Sequence, residues 1–191
     1  NREIRLILVP TNLFAAGHGY VKRQLAMPKT LTTIGTDAVV RLGSARKPKL
    51  LVLAVGETAR SANFSLNGYS RKTNPELERR NVISFSNVSS CGTATATSVP
   101  CMFSPMSREE YKSSQHKESL LDVVQRAGVP VLWKDNNSGC KGACNRVPTE
   151  DVSSLKDPRW CHKGECFDEI MLEGLDQQLV SHKGDLLLVL H

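Results

Sequence analysis

Leu50-Leu-Val-Leu-Ala-Val-Gly56 is an unbroken apolar run that ends in glycine. A strand buried on both faces reads this way, because helices cover both sides of a parallel sheet. Val129-Pro-Val-Leu-Trp133 and Leu186–Leu190 repeat the pattern. Between them lie two segments of helical spacing. Residues 119–127 present Leu120, Leu121, Val123 and Val124, with Gly128 as the stop. Residues 168–181 present Ile170, Met171, Leu175 and Leu179, with Gly184 as the stop. Strand, helix, strand, helix, strand predicts βαβ units and a mostly parallel α/β sheet flanked by helices. Val82–Val88 adds a shorter, alternating strand, and residues 135–166 form a loop-rich excursion.

The chain has 191 residues, enough for one domain with a core, and 40% of them are hydrophobic, which excludes a disordered composition. The net charge of +6 is local: residues 1–49 hold nine Lys or Arg against Glu3 and Asp37. Such a segment faces anionic lipid or nucleic acid, or is simply a solvated face. Arg5–Val9 and Tyr20–Leu25 read as short amphipathic helices within a connector over residues 1–48. Residues 49–191 then form the catalytic-type domain. No stretch reaches the roughly 18–20 apolar residues that span a bilayer. With no initiator Met and a stop inside an apolar run, both ends read as cut.

Six cysteines fall as three close pairs, Cys91/Cys101, Cys140/Cys144 and Cys161/Cys166. An even count in short-range pairs favours disulfides in an oxidising compartment. The Cys140/Cys144 spacing also fits a zinc knuckle.

Glu57 follows the first strand and its Gly. In open α/β sheets chemistry sits at that end of a strand. The carboxylate there is as suited to capping a helix as to binding a metal. The segment from Cys91 to Cys101 packs Thr93, Thr95, Thr97 and Ser98 between two cysteines. It reads as an ordinary Thr-rich helix start, or as a pinned turn that presents a hydroxyl nucleophile to a metal ion. Asn136-Asn-Ser-Gly-Cys-Lys141 is a polar turn whose amides and Lys141 can hold an anion, though such turns are common in any loop. His18, His116, His162 and His182 are expected in solvent, whereas His191 ends a buried strand and reads either as a ligand or substrate contact or as only a terminal residue.

Four stretches carry a resemblance: Val55-Gly-Glu-Thr-Ala-Arg60, Asn67-Gly-Tyr-Ser-Arg-Lys-Thr-Asn-Pro75, the block from Ser90 to Ser104, and Trp133-Lys-Asp-Asn-Asn-Ser-Gly-Cys-Lys-Gly142. Together they resemble the lipid A phosphoethanolamine transferases, which include the mobile colistin-resistance enzymes. The likeness runs from about Lys47 to His191. It implies a periplasmic domain of the alkaline phosphatase/sulfatase-like sandwich fold, here incomplete. Residues 1–48 would be the linker from transmembrane helices in the inner membrane of a Gram-negative bacterium.

The implied reaction moves phosphoethanolamine from phosphatidylethanolamine to Thr95, and then to a lipid A phosphate, with resistance to polymyxins as the outcome. The resemblance makes Thr95 the nucleophile and Glu57 and Thr95 ligands of Zn2+. It makes Thr93, Asn137, Ser138, Lys141 and His191 substrate contacts, and the three cysteine pairs disulfides. The implied partners are the two lipids and a membrane surface, not nucleic acid, and the implied state is a monomer. The formylglycine-forming C/S-x-P/A-x-R sequence of sulfatases is absent around Thr95. The family's other zinc ligands, in an Asp-His-Gly-Glu motif and a further His, fall beyond His191. These 191 residues alone are therefore expected to hold no tight zinc site, to be inactive, and to expose a sheet edge or apolar face. Another acceptor, or a non-catalytic disulfide-stapled binding domain, is the alternative.

Overall fold

A computed structural model describes residues 11–26, 30–40, 47–112 and 115–191. The Arg5–Val9 expectation lies outside the described residues. In chain order the elements are α1 (Thr11–Ala26), β1 (Leu50–Ala54), α2 (Pro75–Arg79), α3 (Thr95–Met102), α4 (Leu120–Arg126), β2 (Val131–Asp135), β3 (Thr149–Asp151), β4 (Cys161–His162), β5 (Glu165–Cys166), α5 (Leu175–Ser181) and β6 (Leu186–Leu190). Four strands form one sheet in the order β1-β6-β2-β3, and every neighbouring pair is parallel.

β6 and β2 hold the centre. Leu188 and Val189 of β6 and Trp133 of β2 are fully buried. Val99, Phe103, Leu121, Val131, Trp133, Leu187 and Val189 pack together as the main core. A smaller cluster of Val152, Ile170 and Met171 takes in Leu190. Each fully buried large aliphatic side chain contributes about 1.5–3 kcal/mol, so the parallel sheet with its flanking helices forms because β6 has no polar residue to expose.

Four sequence expectations need correction. β1 is parallel as expected but not buried, because it ends the sheet and leaves Leu50, Leu51 and Val52 about half exposed at 47%, 58% and 46%. Residues 82–88 form no strand: a strand needs an edge to pair with, and Ile83, Phe85 and Val88 stand in solvent instead. The expected helix over 168–181 is two pieces, a 3-10 turn at Asp168–Leu172 and α5, because Gly174 takes a left-handed φ of 69° between them. His182 is half-buried, its Nε2 lying 3.0 Å from the Asp185 carbonyl, while His18, His116 and His162 are exposed.

All three cysteine pairs form disulfides and no cysteine is free, which removes the zinc-knuckle alternative for Cys140 and Cys144. Cys161 and Cys166 face each other across the β4–β5 hairpin. Its two-residue turn, Lys163-Gly164, has positive φ at both positions, the twist that two-residue hairpins require.

α4 starts on a capping box: Ser119 and Asp122 satisfy each other's end of the first turn. Asp122 also takes two bonds from the Arg146 guanidinium, at 2.8 and 2.6 Å, and Ser119 Oγ donates to the Ala143 carbonyl. The start of α4 is thus tied to the Cys140–Cys144 loop. Burial pushes the Asp122 carboxyl up, but the bonds from Arg146 and Ser119 outweigh it and leave it below the ordinary aspartate value. Residues 32–34 are tied to the start of α4: Thr32 bridges to Lys117, and the Ile34 amide donates to Glu118.

Candidate active site

The site is built at the C-terminal ends of β1, β6 and β2, where the three strands stop side by side. β1 is continued by Val55, whose amide donates to Leu190 of β6. Gly56 then releases the chain, and Glu57 stands at the strand end with 37% of its side chain exposed.

Thr95 arrives from a different element. It is the first residue of α3. The Cys91–Cys101 disulfide closes the loop across this helix start. Gly92 packs closely there: a Cβ on it would lie 3.2 Å from the Thr97 methyl, so a larger residue would require Thr97 to shift by a few tenths of an ångström. The Thr95 hydroxyl lies 3.0 Å from Glu57 Oε1 and 3.0 Å from Oε2. Sequence reading singled out both residues, and the fold brings them into contact.

His191 closes β6 with its side chain fully buried. Its ring packs against Trp133, centroids 5.4 Å apart. Nδ1 lies 3.1 Å from Asp135 Oδ2, and Nε2 lies 3.8 Å from Glu57 Oε2. Nε2 is buried and has no hydrogen-bond partner.

The Asn137–Lys141 turn leaves the end of β2. The Asn137 and Gly139 amides donate to Asp135 Oδ1 at 2.9 and 3.1 Å. The Ser138 amide donates to Asn137 Oδ1, and the Lys141 ammonium donates to the Ser138 carbonyl. Lys141 also lines a cavity of about 340 Å³ with Ala96 and Pro100 of α3. Thr93 is exposed. Among the described residues, no hydrogen bond or ion pair joins Thr93, Asn137, Ser138 or Lys141 to Glu57 or Thr95. The structure therefore assembles Glu57, Thr95 and His191 tightly and sets the polar turn beside them.

Sequence reading missed Asp135. Its signal was the one that marked Glu57: a carboxylate at the C-terminal end of an apolar strand. Burial pushes the Asp135 carboxyl up. The hydrogen bonds from Trp133, His191, Asn137 and Gly139 together outweigh burial and hold it below the ordinary aspartate value.

Among the described residues, no group of three or more His, Cys, Asp or Glu is placed to hold a metal ion. The donors present still suit one in kind. Two oxygens of Glu57 and the Thr95 hydroxyl converge at an exposed strand end, with an unpartnered imidazole nitrogen beyond them.

Residues 49–191 match the sulfatase family. The chain belongs to that family. It is 48% identical over 195 residues to phosphoethanolamine transferase EptA of Escherichia coli strain K12, covering 100% of this chain and 36% of that protein. It is 42% identical over 180 residues to phosphatidylethanolamine transferase Mcr-1 of Escherichia coli, covering 88% of this chain and 33% of that one. Among solved structures, the integral membrane lipooligosaccharide phosphoethanolamine transferase A of Neisseria meningitidis superposes with a TM-score of 0.89 at 44% identity. That match covers 96% of this chain and 35% of the Neisseria chain. The chain thus spans about a third of the length of these relatives. The fold is the alkaline phosphatase/sulfatase-like α/β sandwich, with a parallel sheet flanked by helices.

Proposed function

We propose that the protein carrying this chain transfers phosphoethanolamine from phosphatidylethanolamine to lipid A through a covalent intermediate on Thr95. The observation that carries the proposal is the Thr95–Glu57 contact at the sheet's C-terminal end. It occurs in a chain 48% identical to a named phosphoethanolamine transferase.

In the first half-reaction the Thr95 oxygen attacks the phosphorus of the donor. The bond from phosphorus to the diacylglycerol oxygen breaks, and diacylglycerol leaves as the alcohol, taking up the proton that Thr95 gives up. In the second, a lipid A hydrogen-phosphate oxygen attacks the same phosphorus, the bond from phosphorus to the Thr95 oxygen breaks, and Thr95 regains its hydroxyl with the proton that the lipid A phosphate gives up. One nucleophile can then serve two lipids in turn. Added ethanolamine offsets negative charge on lipid A and weakens its attraction for polymyxins and other cationic peptides.

Glu57 orients the Thr95 hydroxyl by accepting its hydrogen bond. Glu57 and Thr95 would hold a zinc ion, with further ligands from the part of the protein that this chain does not span. Zinc supplies a lowered pKa for the attacking oxygen and offsets charge on the phosphoryl group. Asn137, Ser138 and Lys141 hold the anionic phosphate, because phosphoryl transfer depends chiefly on positioning and charge neutralisation. Thr93 and His191 complete the substrate contacts. The location proposed is the inner membrane with this domain in the periplasm. The basic first quarter supports contact with anionic lipid, and α1 adds an exposed apolar stripe of Leu13, Phe14, Tyr20, Val21 and Leu25. No helix among the described residues is long and apolar enough to cross a membrane.

The test is mass spectrometry of the full-length protein incubated with zinc and phosphatidylethanolamine. A phosphoethanolamine adduct that maps to Thr95 and is absent in Thr95→Ala supports the reading. A folded, zinc-loaded protein that forms no adduct overturns it.

A further inference from the structure

Asp135 ends β2 and is 3% exposed, yet it is not spare charge. Its Oδ1 accepts from the amides of Asn137 and Gly139 at 2.9 and 3.1 Å. Its Oδ2 accepts from Trp133 Nε1 at 2.8 Å and lies 3.1 Å from His191 Nδ1. An ionised carboxylate has about four acceptor sites and no donor. All four are used, and the proton on the bond to His191 must therefore sit on Nδ1. In the neutral ring that leaves Nε2 bare. Nε2 is the buried nitrogen with no partner, and it faces Glu57 Oε2 at 3.8 Å.

We infer that Asp135 is a positioning residue for the transfer: its carboxylate locks the His191 ring and the Asn137–Gly139 turn to one another and sets the tautomer that turns a bare Nε2 toward Glu57 and Thr95. The catalytic consequence rests on the proposed function; the tautomer does not. Two separate walls of the site, one ending β6 and one leaving β2, share a single anion. Trp133 Nε1 holds that anion from below, and the Trp133 ring packs against the same imidazole. Asparagine cannot replace it. Whichever end the carboxamide NH2 occupies, it meets two N–H donors that previously had an acceptor.

The experiment uses the full-length enzyme labelled with 15N-histidine. Long-range 1H–15N correlation spectra at neutral pH report which ring nitrogen of His191 carries the proton, assigned against His191→Gln. The expected spectrum has Nδ1 protonated and Nε2 unprotonated. An Nε2–H tautomer in the unmodified enzyme overturns the inference, and this reading needs no variant to fold. Asp135→Asn is expected to change the His191 signals and to lower kcat by about 10–100-fold, the range for groups that orient a site residue, with a smaller effect on KM. Combined with His191→Ala, its effect on kcat is expected to be less than additive. A folded Asp135→Asn enzyme with unchanged His191 signals and unchanged kcat also overturns the inference. If the unmodified enzyme transfers no phosphoethanolamine while the tautomer is as expected, it is the proposed function that fails and the positioning geometry stands.

Discussion

Thr95 and Glu57 are 38 residues apart in sequence, and the hydroxyl of one lies 3.0 Å from both carboxylate oxygens of the other. A hydroxyl held against a carboxylate at the end of a parallel sheet is positioned before any substrate arrives. Thr95→Ala is expected to lower phosphoethanolamine transfer at least about 1,000-fold, as loss of a covalent nucleophile does. Its thermal unfolding should stay within about 1 kcal/mol of the parent, because Thr95 is only half-buried. Transfer assays beside calorimetry check both. Residual transfer near the parent's rate would remove Thr95 from the reaction.

Acid should unfold this domain through Asp122 and Asp135. Both carboxyls lie below their ordinary value in the folded protein. A folded pKa below the unfolded one contributes stability that is present above the unfolded value, about 3.9, and is lost as pH falls through the folded value. Stability should thus be level near neutrality and fall below about pH 4–5. Asp122→Asn should weaken that acid dependence and cost about 2 kcal/mol, since the α4 cap and the Arg146 bonds go together. Denaturant titrations from pH 3 to 7 would measure it. An Asp122→Asn curve parallel to the parent's would rule out Asp122 as a contributor.

The Cys140–Cys144 bridge closes a short loop whose ends are buried in the main core beside the Asn137–Lys141 turn. Replacing both cysteines by alanine should cost about 2 kcal/mol by loop-closure entropy. It should also raise KM for the donor more than it lowers kcat, because the turn loses one anchor while Thr95 and Glu57 keep theirs. Steady-state kinetics with phosphatidylethanolamine separate the two.

Leu50, Leu51 and Val52 leave an apolar face exposed along an edge strand. An uncovered apolar edge invites pairing with other chains. A polypeptide of these 191 residues alone should self-associate at micromolar concentration and transfer no phosphoethanolamine. Leu51→Lys should suppress the association. Sedimentation velocity would show it, and a monodisperse parent chain would contradict it.

The apolar runs at 50–54, 131–133 and 186–190 made the strands legible, since so few polar groups in a row favour a parallel sheet, but only the second and third are buried in it, and the first lies half exposed at its edge. Ser119 with Asp122 and Gly128 likewise bounded α4 locally. The stretch at 82–88 misled, because alternation describes a strand's side chains but not its partner. Gly174 split the expected helix for a conformational reason that apolar spacing does not carry.

Glu57 and Thr95 were legible only as candidates, each with a plain helix-start reading beside it, and the roles proposed for them come from the resemblance. Their contact was not legible, and neither was the part played by Asp135. Local sequence determined the three apolar strands, the start of α4 and which cysteines lie close enough to join. The tertiary structure alone decided that β6 inserts between β1 and β2. That order brings Glu57, His191 and Asp135 to one end of the sheet. The reason is that pairing order and side-chain contact depend on burial summed over elements up to 136 residues apart, as the Lys49–Asp185 bond beside β1 and β6 illustrates. No local pattern records that sum.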